Sequence, residues 1–374
     1  MSDKPAIIID PGALHVRVGF VGEEGPRVTF PTVIGRPKVP GIMVGSEQRD
    51  YLVGTQATQM SESFKLSYPI RHGGVEDWED MEKILDHVFA NELQVSPEGQ
   101  NIIVLQPPLT PSSQRDALTR LLFDTFNVPG VFLANGSVCS TLAAGRFTGL
   151  VVDIGAQELF VVPVFDGYAL PHTTLRINLA GEAVTDYLTT LLNERQDPIT
   201  ETMGREIMRD LKEKKCRVAL DFQRELDTLD LDGVAEPYDL PDGNVFYICN
   251  ELLRAPEVLF TPSLLGKEFG GIHEQVYQSI ARCDVALQPD LWRNIVLAGG
   301  GSLLPGLPNR LEKELKALVP DMAGEIRVIA LPERHAGAWI GASIMGSIAG
   351  FEHSWATRSE YNDYGPDAVR WRCF

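Results

Sequence analysis

A chain of 374 residues with 51 acidic and 33 basic side chains, a formal net charge of −18, offers no basic face for dedicated nucleic-acid binding or for anionic membranes. It is 44% hydrophobic and 22% charged, the composition of a water-soluble globular protein, and no stretch reaches the roughly 18 uninterrupted apolar residues of a membrane span. Single cores stop growing near about 250–300 residues, so two lobes are expected. The acidic excess reads as solubility, with a basic protein partner the alternative. Five cysteines (Cys139, Cys216, Cys249, Cys283 and Cys373) are odd in number and form no CxxC pair. That is neither a disulfide framework nor a zinc site, and it fits a reducing compartment. The start, Met1-Ser-Asp-Lys-Pro, is polar and runs straight into a strand, so no signal peptide is expected.

In chain order, Ala6 to Asp10 is an apolar strand ending in an acid, followed by Pro11-Gly12 and a returning strand from Val16 to Gly22. Phe30 to Pro37 is a proline-punctuated connection. Residues 38–52 read as an exposed loop. A helix is expected over 77–93 with Asp77 as N-cap, then a buried strand from Asn101 to Leu105 and an amphipathic helix from Ser113 to Phe126. A strand from Val131 to Ala134 and a small-residue helix over 136–145 lead to Gly149–Gly167, where the first device recurs. A strand ends at Asp153, Ile154-Gly155 turns, and Leu159 to Phe165 returns. Helices are expected over Ala180–Leu192 and Met208–Phe222, a solvated acidic loop over Glu225–Asp232, and a hairpin over Tyr238–Ile248 with Asp-Gly at its turn. The strand Asn294–Ala298 runs into Gly299-Gly300-Gly301 and then a helix from Leu307 to Leu318. A helix over Ala338–Phe351 and a polar tail end the chain. Alternating strands and helices make this an α/β protein.

Asp10 and Asp153 end strands at glycine corners. Carboxylates so placed suit a hydrated Mg²⁺, which keeps its waters and accepts a few acids plus phosphates; each acid alone could equally cap a turn. The duplication, together with the glycine triplet between strand and helix, points to a phosphate or nucleotide site. The face of Arg209, Lys212 and Glu213 reads by default as a solvated helix surface. The seven histidines show no metal-ligand spacing.

Longer motifs carry a resemblance: Phe30-Pro-Thr-Val-Ile-Gly-Arg-Pro37, Tyr68-Pro-Ile-Arg-His-Gly73, Trp78-Glu-Asp-Met-Glu-Lys83, Phe123 to Pro129, Gly167-Tyr-Ala-Leu-Pro-His172, Arg209 to Lys214, Gly271-Ile-His-Glu274, Pro332-Glu-Arg334 and the terminal Arg-Cys-Phe. Over essentially the whole length the chain resembles an actin, and more narrowly a divergent actin-related protein. The resemblance implies the α/β actin/hexokinase/heat-shock-ATPase fold, with two similar lobes around a central nucleotide cleft. It implies four subdomains: 1–31, 69–143 and 337–374; 32–68; 144–179 and 270–336; and 180–269. The implied cofactor is ATP or ADP with Mg²⁺ or Ca²⁺, an empty pocket being the alternative. The implied contacts are Asp10, Gly12, Ala13, Leu14 and Arg17 in the first hairpin and Asp153, Gly155, Ala156 and Gln157 in the second. On the adenosine side they are Gly181, Arg209, Lys212, Glu213, Gly299, Gly300, Leu303 and His335. Asp10 and Asp153 would hold a metal through water.

The phosphate side departs from the family. Where actins read Asp-Asn-Gly-Ser-Gly, this chain has Asp10-Pro-Gly-Ala-Leu14, which removes the serine hydroxyl and one backbone donor. Arg17 stands for a lysine. Where actins read Asp-Ser-Gly-Asp-Gly-Val-Thr-His, this chain has Asp153-Ile-Gly-Ala-Gln-Glu-Leu-Phe160. The water-positioning histidine is thus Phe160, the second acid Ala156 and the water-polarising glutamine Gly136, so no catalytic residue is assigned and ATP hydrolysis is expected to be absent or very slow. Glu158 adds a negative charge beside the expected γ-phosphate. The expected role is a structural subunit of a multiprotein assembly, cytoplasmic and cytoskeletal with the nucleus left open. Its partners are proteins, with actin or self-association through residues 39–51 and 260–274, where Leu264, Leu265 and Phe269 match an apolar plug. A cleft for partners is suggested by Gly145, Gly167, Tyr168, Ile344, Met345, Ile348 and Phe351, and no nucleic acid or membrane is expected. The alternative is a divergent filament-forming actin that binds and slowly hydrolyses ATP. A sugar or metabolite kinase of the same fold is disfavoured by the full-length motifs.

Overall fold

The computed structural model describes residues 4–38, 50–195, 203–232 and 235–373. The chain divides into two compact units, one of Met1–Phe147, Asp166–Pro171 and Ala336–Phe374, the other of Thr148–Phe165 and His172–His335. Of the loop expected over 38–52, residues 39–49 lie outside the described residues, and Leu52 belongs to the strand Leu52–Val53.

The first unit is built on a six-stranded sheet. Its order is Ala356–Thr357, Gly130–Asn135, Ile102–Gln106, Ile7–Pro11, His15–Phe20 and Val28–Pro31. Ile7–Pro11 lies antiparallel to His15–Phe20 and parallel to Ile102–Gln106. Ile7, Ile8 and Ile9 have no accessible surface, as a central strand with both faces covered requires. One cover is the helix Gly337–Gly346, whose Trp339 is fully buried and donates its indole N–H to the Ile8 carbonyl at 3.3 Å. A Cβ on Gly341 would sit 1.7 Å from the Cys139 carbonyl oxygen, so only glycine lets this helix reach the helix Gly136–Ala143.

The second unit repeats the plan. Gly149–Ile154 is antiparallel to Leu159–Phe165 and parallel to Ile295–Ala298, which pairs in parallel with Val328–Ile329; Leu175–Ile177 extends the sheet beyond Leu159–Phe165. In both units, then, an antiparallel hairpin starts the sheet and a later strand joins its first strand in parallel. The strand-ending acids Asp10 and Asp153 stand at equivalent places.

The expected helices over 77–93 and 113–126 form as Trp78–His87 and Ser112–Arg120, each continued by a π-helical turn, Val88–Glu92 and Leu121–Thr125. Asp77 caps the first, its carboxylate accepting the Asp80 amide at 2.9 Å. Four expectations need correction. The helix expected over Met208–Phe222 runs Arg205–Lys215, because Gly204 opens it and Cys216 turns extended at ψ 144°. The acidic stretch Glu225–Asp232 belongs to a helix, Phe222–Asp232, not a loop. Asp221 accepts the Arg224 amide at its start, Glu225 turns back to the amides of Leu220 and Asp221, and Gln223 bonds Asp227 one turn on. The C-terminal helix stops at Gly346, and Gly350 follows at φ +95°. The polar tail folds as Arg358–Tyr364 and Asp367–Arg372, tied down where Cys373 accepts the Leu133 amide at 3.2 Å.

Candidate functional site

The tip of the first hairpin is shaped by what its backbone can no longer offer. Pro11 has no N–H, and the Gly12 N–H turns inward to the carbonyls of Asp10 and His15 at 3.2 and 3.0 Å. A Cβ on Gly12 would lie 2.8 Å from the His15 oxygen, so the tight tip requires glycine. Thr32 pins it from just past the neighbouring strand Val28–Pro31, its hydroxyl donating to the Gly12 carbonyl at 2.7 Å and its amide to the Leu14 carbonyl at 2.9 Å. Thr32 was hidden in the Phe30-Pro-Thr-Val motif, where nothing marks it as a tip anchor. The amides of Ala13 and Leu14 have no hydrogen-bond partner among the described residues.

Asp10 and Arg17 face each other across the hairpin in direct register, and the Arg17 Nη1 donates to Asp10 Oδ2 at 3.2 Å. Burial raises the Asp10 pKa above its usual 3.8, and Arg17 offsets only part of that. The Arg17 Nε is buried without a partner among the described residues. Also in this unit, the Asn135 side chain caps the helix that Gly136 begins, accepting the amides of Ser137 and Val138 at 2.9 and 3.4 Å. A Cβ on Gly136 would make ordinary contacts, 3.5 Å to the Gln106 carbonyl and 3.7 Å to the Ala338 Cβ.

The second hairpin closes by a bond from the Gly155 amide to the Glu158 carbonyl at 2.9 Å. The carbonyls of Gly155 and Ala156 then accept the amides of Gly181 and Glu182 at 3.1 and 2.7 Å. These are the first two donors of the helix Gly181–Glu194, so its N-terminus bolts the tip in place. Gln157 reaches Glu182 at 3.4 Å. Lys212, only 7% exposed, donates to the Gly181 carbonyl at 3.4 Å, and its Nζ lies 3.7 Å from Glu213. Burial pushes the Lys212 pKa down while Glu213 holds it up. Arg209, on the same helix, pairs with Glu206 at 2.9 Å. The lysine read as part of a solvated face is therefore an inward cation beside the tip.

The glycine turn meets the same hairpin. Gly299, at φ +79°, leaves no room for a Cβ, which would sit 2.4 Å from both Asp153 Oδ1 and the Ile154 carbonyl oxygen. Gly301 is closed by Ile154 at 2.7 Å, whereas a Cβ on Gly300 meets nothing within 4 Å. Leu303 is 41% exposed and Leu304 buried. The Gly299 amide donates to the Arg334 carbonyl at 3.2 Å, and Arg334 returns a bond to the Ser302 carbonyl at 3.1 Å. His335, next in sequence, is exposed.

Two side chains after the second tip, Glu158 and Phe160, are buried. Phe160 is buried, so a ring without hydrogen-bonding nitrogens occupies the core there. Glu158 is turned to Arg176, whose Nε donates to Glu158 Oε1 at 2.7 Å. Its Oε2 is buried with no partner among the described residues. The two residues are 18 apart in sequence, so no local pattern could reveal the pair.

A duplicated hairpin-and-parallel-strand unit with an acid at each tip is the frame expected of the actin fold. Residues 1–374 match the Actin family model. The chain belongs to the actin family. No helix among the described residues is long and apolar enough to cross a membrane.

In the first unit, the unpartnered amides of Ala13 and Leu14 and the spare Nε of Arg17 are donors suited to an anion. In the second, taken by itself, a Cβ on Gly300 meets nothing within 4 Å. Among the described residues no three His, Cys, Asp or Glu side chains cluster for direct metal ligation. Asp10 in the first unit and Asp153 in the second are each a carboxylate of the kind that holds a hydrated Mg²⁺ or Ca²⁺ through its waters.

Proposed function

We propose that this actin-family protein is a structural subunit of a multiprotein assembly that retains a nucleotide and does not turn it over. The reading is carried by Phe160, a buried phenyl ring where the family orients its attacking water. Ala156 and Gly136 lack the acid and amide groups that could substitute. Most of the work of such a hydrolase is positioning and charge stabilisation, so these losses remove the chemistry while leaving the binding surface. Within the first unit, Arg17 and the tip's amides are the groups that take phosphate; within the second, Lys212 and Gly181 support the tip.

Partners are other proteins, in a cytoplasmic, cytoskeletal setting, and the four subdomains keep the family's boundaries. The test is release of inorganic phosphate from purified protein with ATP and Mg²⁺ under filament-forming conditions. The expected trace is flat; steady release at the rate of a conventional actin overturns the proposal. A filament-forming role is favoured by one observation, the exposure of Leu264 at 44% in the 260–274 segment. Salt-induced, concentration-dependent pelleting would support that second reading.

A further inference from the structure

We propose that Tyr364 and Trp371 form an interaction surface for a proline-rich segment of a partner protein, bound as a polyproline II helix. Both residues belong to the first unit and lie on the two short helices Arg358–Tyr364 and Asp367–Arg372. Their rings meet edge to face, with centroids 5.1 Å apart and planes at 61°. Tyr364 is nevertheless 57% exposed and Trp371 59% exposed. Tyrosine and tryptophan that touch each other and still leave over half their surface to solvent are the residue types that anchor interfaces. The surface beneath them is held by its own bonds. Thr357 and Glu360 form a capping box at the start of the first helix. Arg358 donates to the Phe123 carbonyl at 2.6 Å, and Tyr361 stacks on the Phe123 ring. Gly365, at φ +63°, and Pro366 turn the chain from Tyr364 into the second helix. A surface fixed in this way binds without first having to be ordered.

Charge and hydrogen bonding select the occupant. The two arginines flanking Trp371 are already paired, Arg370 with Asp116 and Asp367, and Arg372 with Glu360. The patch therefore has no spare cation to draw an acidic partner. It offers two apolar ring faces and two donors, because the Tyr364 hydroxyl and the Trp371 indole N–H make no hydrogen bond among the described residues. A polyproline II segment is the complement of that set. It has no internal hydrogen bonds, so its carbonyls are free to accept from outside, and its prolines bring no N–H that needs an acceptor. Its pyrrolidine rings pack on aromatic faces, and the preformed helix loses little entropy on docking. Asp363, exposed beside Tyr364, has no cation partner among the described residues, which makes a basic peptide the rival to be measured against.

The experiment follows the fluorescence anisotropy of a dye-labelled proline oligomer of about ten residues as the full-length chain is added, with an oligolysine of equal length in parallel. The expected result is saturable binding of the proline oligomer with a Kd below about 1 mM, and tighter than that of oligolysine. Trp371→Ala is expected to weaken it at least about tenfold, the size of an anchoring residue. Tyr364→Phe keeps the ring and removes only the hydroxyl donor, and is expected to weaken it about two- to fivefold. Both side chains are exposed, so the thermal melts of the two variants should stay close to wild type. No saturable binding of the proline oligomer to the wild type overturns the proposal. Undiminished binding to a folded Trp371→Ala, or to Tyr364→Phe, overturns the role of the residue changed. Tighter binding of oligolysine overturns the proline-rich assignment and points to a basic partner. Neither variant alters a group proposed to hold nucleotide, so failure here leaves nucleotide retention standing.

Discussion

At the scale of single residues, small side chains determine how the tips are built. Gly12 and Gly155 were legible as corners because each lies two residues past an acid at the end of an apolar run and the pattern occurs twice, and Gly299 because it opens a glycine triplet after an apolar strand. The contact between Gly299 and Asp153 was not legible, because it joins residues 146 positions apart and depends on which face of the turn meets the carboxylate. It gives a sharp prediction. Gly299→Ala places a methyl 2.4 Å from Asp153 Oδ1 at a backbone φ of +79°. Neither the oxygen nor the Ile154 carbonyl beside it can yield without moving the hairpin. The expected cost is about 1–3 kcal/mol of stability from the strained backbone and the displaced turn. It is read from denaturant midpoints at unchanged m-value. Wild-type stability in this variant would mean that the turn can open around Asp153 without loss. Gly136 is the contrasting case. A Cβ there would make only ordinary contacts, so sterics do not demand this glycine.

At the scale of elements, the sequence showed strands better than helix ends. Runs such as Ile7–Ile9 and Leu150–Val152 are apolar on both faces, and a buried parallel strand needs nothing more. The helix Phe222–Asp232 was hidden because its charges outnumber its apolar residues, and its start depends on side chains of Asp221 and Glu225 folding back onto the backbone. The helix Trp78–His87 has a different anchor, a carboxylate on its buried face. Asp80 is fully buried and accepts bonds from Arg36 at 3.0 Å and Lys83 at 3.1 Å. Burial pushes its pKa up, but those two cations outweigh it, and the net shift is downward from 3.8. A carboxylate with a depressed folded pKa stabilises above its unfolded pKa and loses that contribution as pH falls through the folded value. Asp80→Asn is therefore expected to cost about 3 kcal/mol at pH 7, where it leaves two cations short of their partner. The difference from wild type should close as pH falls below about 4. Thermal melts of both proteins across pH 3–7 check this; a gap that stays constant with pH would assign the cost to packing.

At the scale of the whole molecule, the sequence carried the plan because the plan is a duplication. A device that appears twice, each time followed by a strand that pairs in parallel, is more specific than either copy. The chemistry was less legible, because it depends on where Lys212, Glu158 and Arg17 point, and those directions are set by packing. A ligand bound only by the native state stabilises it by mass action. At a free ADP concentration of about 100 times Kd the gain is about 2.7 kcal/mol. With an unfolding entropy of about 2.1 cal/mol/K per residue, a chain of this length should melt about 3 °C higher. Arg17→Gln removes the guanidinium of the first unit, and Lys212→Met removes the buried ammonium of the second. Each variant is expected to reduce the ADP-induced shift at the same ADP concentration while its ligand-free melt remains cooperative. A full shift surviving in Arg17→Gln would mean that the second unit holds the nucleotide alone, and the first hairpin would then be a structural copy whose donors have no anion to serve.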